Sequence, residues 1–160
     1  LSAVYAMSSE EGRTWIRAQV TEAARDAVAF FEQQILTRTG QGGRDRERTE
    51  LVASLFLHTT ARRVGEAMPD PQLHVHAIVY NVGVSPREAA RDDPTRPKTR
   101  TLKSEPFYQH QVAGGGIFRE SLARRLEARY ELDREGEAWE VRGVPREVMD
   151  AFSKRSAEIT

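Results

Sequence analysis

The sequence predicts an α+β fold in which an antiparallel β-sheet is flanked by α-helices. Two central segments, Glu50–Arg62 and Pro71–Val82, alternate apolar and polar residues with period two, as half-buried strands do. Only the loop Arg63–Asp70 joins them, and so short a link suits antiparallel neighbours. Helical periodicity brackets the pair, with Ile16, Val20, Ala24, Ala27, Phe31 and Ile35 before it and Phe118, Leu122 and Leu126 after it.

Composition narrows the chemistry. A length of 160 residues is at most one domain's worth, enough to bury a single core. With no Cys, disulfide scaffolds, thiolate zinc sites, Fe–S clusters and cysteine nucleophiles are excluded within these residues. The 24 Lys+Arg balance 24 Asp+Glu, so any nucleic-acid site must be a local patch rather than a coat of positive charge. The apolar runs are too short to span a bilayer, and no basic stretch precedes Leu1–Met7 to make a signal peptide. The expectation is a cytoplasmic protein that does not enter the membrane.

The elements follow in order. Leu1–Met7 reads as a strand without a lead-in, as though the chain began inside a larger domain. Ser8 and Glu11 have capping-box spacing, which opens a helix running to about Leu36. Gly40–Arg48 is a polar, Gly-rich turn at a hairpin tip. In the first central strand Leu51, Ala53, Leu55 and Leu57 share one face, and Val52, Ser54, Phe56, His58 and Thr60 the other. In the second, Leu73, Val75, Ala77 and Val79 oppose Gln72, His74, His76, Ile78 and Tyr80. A long loop from Ser85 to Lys103 carries Arg96, Lys98, Arg100 and Lys103 with no acid between Pro94 and Lys103. A helix is expected from about Glu105 to Tyr130, interrupted at Gly114–Gly116, where each Gly costs roughly 1 kcal/mol relative to Ala. The ordinary reason for such glycines is a close helix crossing or a kink. His110 reads as a residue on that helix's surface. Ala138–Val141 is a short strand, and Pro145 sits at a first helical position of a helix through Phe152.

Three of the four histidines lie in the central strands. His74 and His76 are two apart, so their rings leave one face with Cα atoms about 6–7 Å apart. If the strands pair antiparallel, His58 closes a third corner. Three neutral imidazoles would leave a divalent cation with open positions, as catalytic sites do, whereas structural sites are closed by a fourth ligand. Each strand has an apolar face available, and the histidines are on the other one.

His58-Thr59-Thr60-Ala61-Arg62 followed by Asp70-Pro71-Gln72-Leu73-His74-Val75-His76-Ala77-Ile78-Val79-Tyr80-Asn81 resembles the metal-binding segment of the TrwC/TraI-type (MobF) conjugative relaxases. These belong to the histidine-hydrophobe-histidine class of single-strand DNA endonucleases. Thr101–Ser104, Ile117–Leu122, Trp139–Val141, Gly143–Pro145 and Phe152–Ser156 fall in the family's order, so the resemblance covers nearly the whole chain. Two departures stand out: the loop between His58 and His74 is longer around Val64–Pro69, and Thr59 and Ala61 replace an acidic residue and a serine.

The resemblance implies a relaxase-like fold, a divalent metal (Mg, Mn or Zn) on His58, His74 and His76, and single-stranded DNA of a transfer origin as partner. It implies transesterification by a tyrosine, leaving a 5′-phosphotyrosine and a free 3′-hydroxyl. The family's tyrosine and a supporting aspartate lie amino-terminal to the part matched here. Residues 1–160 are therefore expected to be the carboxy-terminal portion of a single relaxase domain, with no catalytic residue in this chain and no nicking by it alone. A helicase region often follows in relatives.

The four tyrosines agree with that expectation. Tyr5 and Tyr130 occupy packing positions, Tyr108 starts a helix, and Tyr80 is about 13 Å along an extended strand from His76. Arg62, with Arg63 beside it, is a candidate phosphate contact, and Arg96, Lys98, Arg100 and Lys103 are candidates for tracking a DNA backbone. Trp15 and Trp139 sit in regular elements and read as packing residues rather than stacking platforms. Two alternatives stay open: a non-catalytic DNA-binding remnant, and a three-histidine metal-dependent hydrolase or oxygenase. The second would need another carboxylate ligand or a base, and a jelly roll would need many more strands.

Overall fold

A computed structural model describes residues 1–39, 41–63, 68–84, 99–136 and 138–152. The elements are α1 (Ser2–Met7), α2 (Glu10–Gln34), β1 (Leu36–Thr39), β2 (Asp45–Arg48), β3 (Glu50–Thr60), β4 (Pro71–Val84) and β5 (Thr99–Arg100). They continue with α3 (Glu105–Gln109), α4 (Gln111–Leu126), β6 (Leu132–Glu135), β7 (Ala138–Val141) and α5 (Arg146–Ala151). Strands β3, β4 and β5 form one sheet in that order, while β1–β2 and β6–β7 are separate two-stranded ribbons. This is the α+β, antiparallel architecture expected.

The chain divides into two compact units. The first comprises Leu1–Ala23, Phe56–His76 and Arg119–Thr160. Its buried side chains include Ala3, Ile16, Val20 and Ala23 from α1 and α2, Leu122, Ala123 and Leu126 from α4, and Val141 from β7. The second comprises Ala24–Leu55 and Ala77–Phe118, with Ala24, Ile35, Thr37 and Thr49 buried.

β3 and β4 run antiparallel: the Ala61 amide donates to the Asp70 carbonyl at 2.8 Å, and at the far end the Thr49 hydroxyl donates to the Val84 carbonyl at 3.1 Å. Along β3, Leu51, Ala53, Leu55 and Leu57 are half-buried and Val52, Phe56, His58 and Thr60 exposed, while Ser54 departs from the alternation and is half-buried. On β4, Leu73, Val75 and Val79 follow the same rule but Ala77 is exposed.

Several expectations change. Leu1–Met7 is helix, not strand. Seven nearly uniform apolar residues carry no period, and the turn closes on itself through Tyr5 N–H to the Leu1 carbonyl (2.9 Å) and Ser8 Oγ to the Val4 carbonyl (2.7 Å). The cap of α2 is Ser9 rather than Ser8, since its hydroxyl accepts the Gly12 amide at 3.2 Å. α2 stops at Gln34, and Leu36 already belongs to a strand. Residues 45–48, expected within the turn, are strand; the turn itself is Gln41–Gly43, where Gly42 takes φ 73°.

The helix expected over 105–130 is two helices broken at His110, whose amide closes α3 on the Pro106 carbonyl at 3.0 Å. The glycines do not interrupt α4. Gly114 instead permits a close crossing, because a Cβ there would sit 2.4 Å from the Phe31 ring. His110 is half-buried and meets Phe30 edge-on at 6.2 Å, so it is a packing residue rather than a free surface one. Pro145 is the cap before α5, with ψ 144°, not its first residue. The strand at Ala138–Val141 is present, paired with β6, for which the sequence carries no signal of its own.

Candidate metal centre

The expected constellation lies within the first unit. His58 stands near the carboxy-terminal end of β3, and His74 and His76 near the start of β4. Because the hairpin is antiparallel, these ends are adjacent, and strand parity sends all three rings to one face. Ring centroids are 5.2 Å apart for His58–His74, 4.8 Å for His58–His76 and 5.0 Å for His74–His76. One nitrogen from each ring lies within 4.8 Å of the other two.

The three side chains are open to solvent, His58 and His76 exposed and His74 half-buried. His74 Nδ1 lies 3.1 Å from the Gln72 carbonyl oxygen. A carbonyl can only accept, so Nδ1 donates, and in the neutral ring this leaves the lone pair on Nε2. That is the arrangement a metal-ligating imidazole uses, its second nitrogen fixed by an outer hydrogen bond.

The donor set fits a divalent cation. Three neutral imidazole nitrogens would leave a cation's charge uncancelled. Among the described residues no Asp or Glu joins the group.

α1 supports this part of the sheet. Ser2 Oγ accepts the amide of Leu73, the residue before His74, at 3.0 Å. No local signal in the sequence joins positions 2 and 73.

The other candidates are distributed. Arg62 is exposed just beyond β3, in the same unit as the histidines. Arg63 is exposed and engaged in an interaction of its own. Arg96 and Lys98 lie outside the described residues. Arg100, in β5 opposite Gly83, and Lys103, whose amide donates to the Leu36 carbonyl at 3.4 Å, belong to the second unit.

The tyrosines and tryptophans differ in setting. Tyr5 is on α1 with the Arg13 guanidinium 6.0 Å from its ring, and Tyr130 meets Trp15 at 6.0 Å. Tyr80 shares a 3.1 Å hydrogen bond with Ser54, while Tyr108 is 73% exposed on α3. The Arg129 guanidinium covers Trp15 at 4.5 Å, and Trp139 Nε1 donates to the Arg119 carbonyl at 3.2 Å. Both tryptophans are therefore held by the fold, as expected.

With this geometry in place, the comparisons with known proteins agree. The model of the TrwC relaxase family matches residues 1–160. The multifunctional conjugation protein TraI of Escherichia coli strain K12 is 38% identical over 159 residues, covering 88% of this chain and 8% of TraI. The structure of TrwC complexed with a 27-mer DNA comprising the recognition hairpin and the cleavage site superposes with a TM-score of 0.79 at 23% identity, over 99% of this chain and 53% of that one. A metal-bound structure of conjugative relaxase TrwC with oriT DNA gives 0.79 at 23% identity, over 99% and 52%. The chain thus spans about half the length of those TrwC chains and a small fraction of TraI. A match of the family model along all 160 residues, on a fold shared with TrwC, establishes that this chain belongs to the TrwC relaxase family.

Proposed function

We propose that this chain is the metal-binding part of a conjugative relaxase that nicks single-stranded DNA at a transfer origin by tyrosine transesterification. The observation that carries this reading is the convergence of His58, His74 and His76 in a chain that the relaxase model matches throughout. Residues 1–160 are then the carboxy-terminal portion of the relaxase domain, working in the cytoplasm, with a helicase region elsewhere in the parent chain. The nucleophilic tyrosine is none of Tyr5, Tyr80, Tyr108 and Tyr130.

In this mechanism the tyrosine oxygen forms a bond to the scissile phosphorus as the bond to the 3′-oxygen breaks. The phenolic proton is lost, and the leaving 3′-oxygen ends as a hydroxyl. One phosphodiester is exchanged for another, so no oxidant or reductant is needed. His58, His74 and His76 would hold the divalent cation, which would supply Lewis acidity at the scissile phosphate. The Gln72 carbonyl keeps the His74 ring in the tautomer that presents Nε2. Arg62 contacts phosphate near the histidines, and Arg96, Lys98, Arg100 and Lys103 track the backbone.

The test is a nicking assay of the parent protein on a single-stranded oligonucleotide spanning its transfer origin. A covalent protein–5′-phosphate adduct is expected, abolished in the triple variant H58A/H74A/H76A. Residues 1–160 alone should bind metal and leave the oligonucleotide intact. An unimpaired triple variant, or a parent that forms no adduct, would overturn the reading; the latter result fits the non-catalytic DNA-binding remnant.

A further inference from the structure

Within the second unit, the chain changes partners just after β5. Thr99 and Arg100 pair with Val84 and Gly83 of β4, whereas Leu102 forms an isolated antiparallel bridge with Thr37 of β1. The Lys103 amide donates to the Leu36 carbonyl at 3.4 Å, on the β1 side. Successive amides of an extended chain point to opposite edges, so the Leu102 amide turns towards β4. Extending the Gly83–Arg100 register by two residues would set Leu102 opposite Asn81. The ladder has already ended there, and the Asn81 side chain takes over: its Oδ1 accepts the Leu102 amide at 2.9 Å.

The peptide group between Thr101 and Leu102 is thereby held from both sides. Its N–H donates to Asn81, and its carbonyl accepts the hydroxyl of Thr37, which is 1% exposed, at 3.2 Å. Lys103 is the next residue, so this peptide sets the direction in which its side chain leaves the strand. Residue 81 is also where the apolar series Leu73, Val75, Ala77 and Val79 gives way to a polar side chain. An apolar residue there would leave the Leu102 amide without its acceptor, and an aspartate would add a negative charge close to a candidate phosphate contact. Asparagine supplies the acceptor without the charge.

We infer that Asn81 is a positioning residue for Lys103, holding the Thr101–Leu102 peptide where the chain passes from β4 to β1. The inference rests on the reading of Lys103 as a contact to the backbone of single-stranded DNA. Asn81 touches no phosphate in this role. It removes backbone freedom that Lys103 would otherwise lose on binding, so its effect on DNA is exerted through the lysine.

The experiment is fluorescence anisotropy of a labelled oligothymidylate, in EDTA, titrated with the full chain over a range of salt concentrations. K103A should bind several-fold more weakly, with a log K against log[salt] slope shallower by about 0.7, the share of one phosphate contact on a single strand. N81A should weaken binding in the same direction by no more than this. The double variant N81A/K103A should bind as K103A does, because two residues acting through one contact are not additive. Asn81→Gln, which displaces the same amide by one methylene, repeats the cycle with the polarity of the site kept. Amide hydrogen exchange reads the geometry directly: Leu102 should lose protection in N81A and keep it in Asn81→Asp, which retains the acceptor oxygen. If K103A binds as the unaltered chain does, the backbone-contact reading fails and this inference with it. If K103A weakens binding while N81A and Asn81→Gln do not, or if the losses in the double variant add, the positioning role alone is overturned.

Discussion

His58 and His76 come from different strands, yet their ring centroids lie 4.8 Å apart with the planes inclined at 78°. With His74 they form the only cluster of metal-ligating side chains found among the described residues. Substituting any one by Ala should weaken divalent-cation binding by about a hundredfold or more, beyond the 10–100-fold that loss of an outer-shell partner costs. Titration calorimetry with Zn²⁺ or Mn²⁺ checks it. Equal binding by H74A and the unaltered chain would remove the three-histidine site.

Ser2 should act on that site from a distance. Its hydroxyl accepts the Leu73 amide at 3.0 Å, next to His74. Ser2→Ala leaves this donor without its partner, at about 1 kcal/mol of stability. Cation affinity should fall by several-fold while stoichiometry stays unchanged. An unaltered affinity, with the expected loss of stability, would limit Ser2 to a structural role.

Two of the three α4 glycines, Gly114 and Gly116, should respond oppositely to alanine. At Gly114 a Cβ would be 2.4 Å from the Phe31 ring, so Gly114→Ala is expected to destabilise the fold by about 1–3 kcal/mol. At Gly116 nothing lies within 4 Å, so Gly116→Ala should stabilise it by up to about 1 kcal/mol through helix propensity. Thermal melts of the two variants should shift in opposite directions.

Glu32 on α2 holds one end of β3. Its carboxylate accepts the Leu51 amide at 2.8 Å. Glu32→Ala should cost about 1–3 kcal/mol, because a part-buried amide loses a charged acceptor. Glu32→Gln keeps an acceptor oxygen and should recover much of that stability in urea denaturation.

Much of the site is legible in the sequence because strand parity is a local rule. His58, His74 and His76 fall on the solvent-facing side of strands whose other sides are apolar, and alternation of period two shows this without coordinates. The carboxy-terminal helix is legible for a similar reason, since Pro145 marks its start. Leu1–Met7 escapes such rules because a short apolar run has no period to separate helix from strand. Strand β6, with the sequence Leu-Asp-Arg-Glu, is invisible: it is polar, and its pairing with β7 is what makes it a strand.

The sequence by itself therefore determined the element types with strong periodicity, the face that carries the histidines, and the family to which the chain is similar. Tertiary structure decided which distant residues meet. Ser2 at Leu73, Glu32 at Leu51 and Phe31 over Gly114 each depend on chain closure. Neighbouring residues carry no trace of it, because the free energy of such contacts comes from segments far apart along the chain.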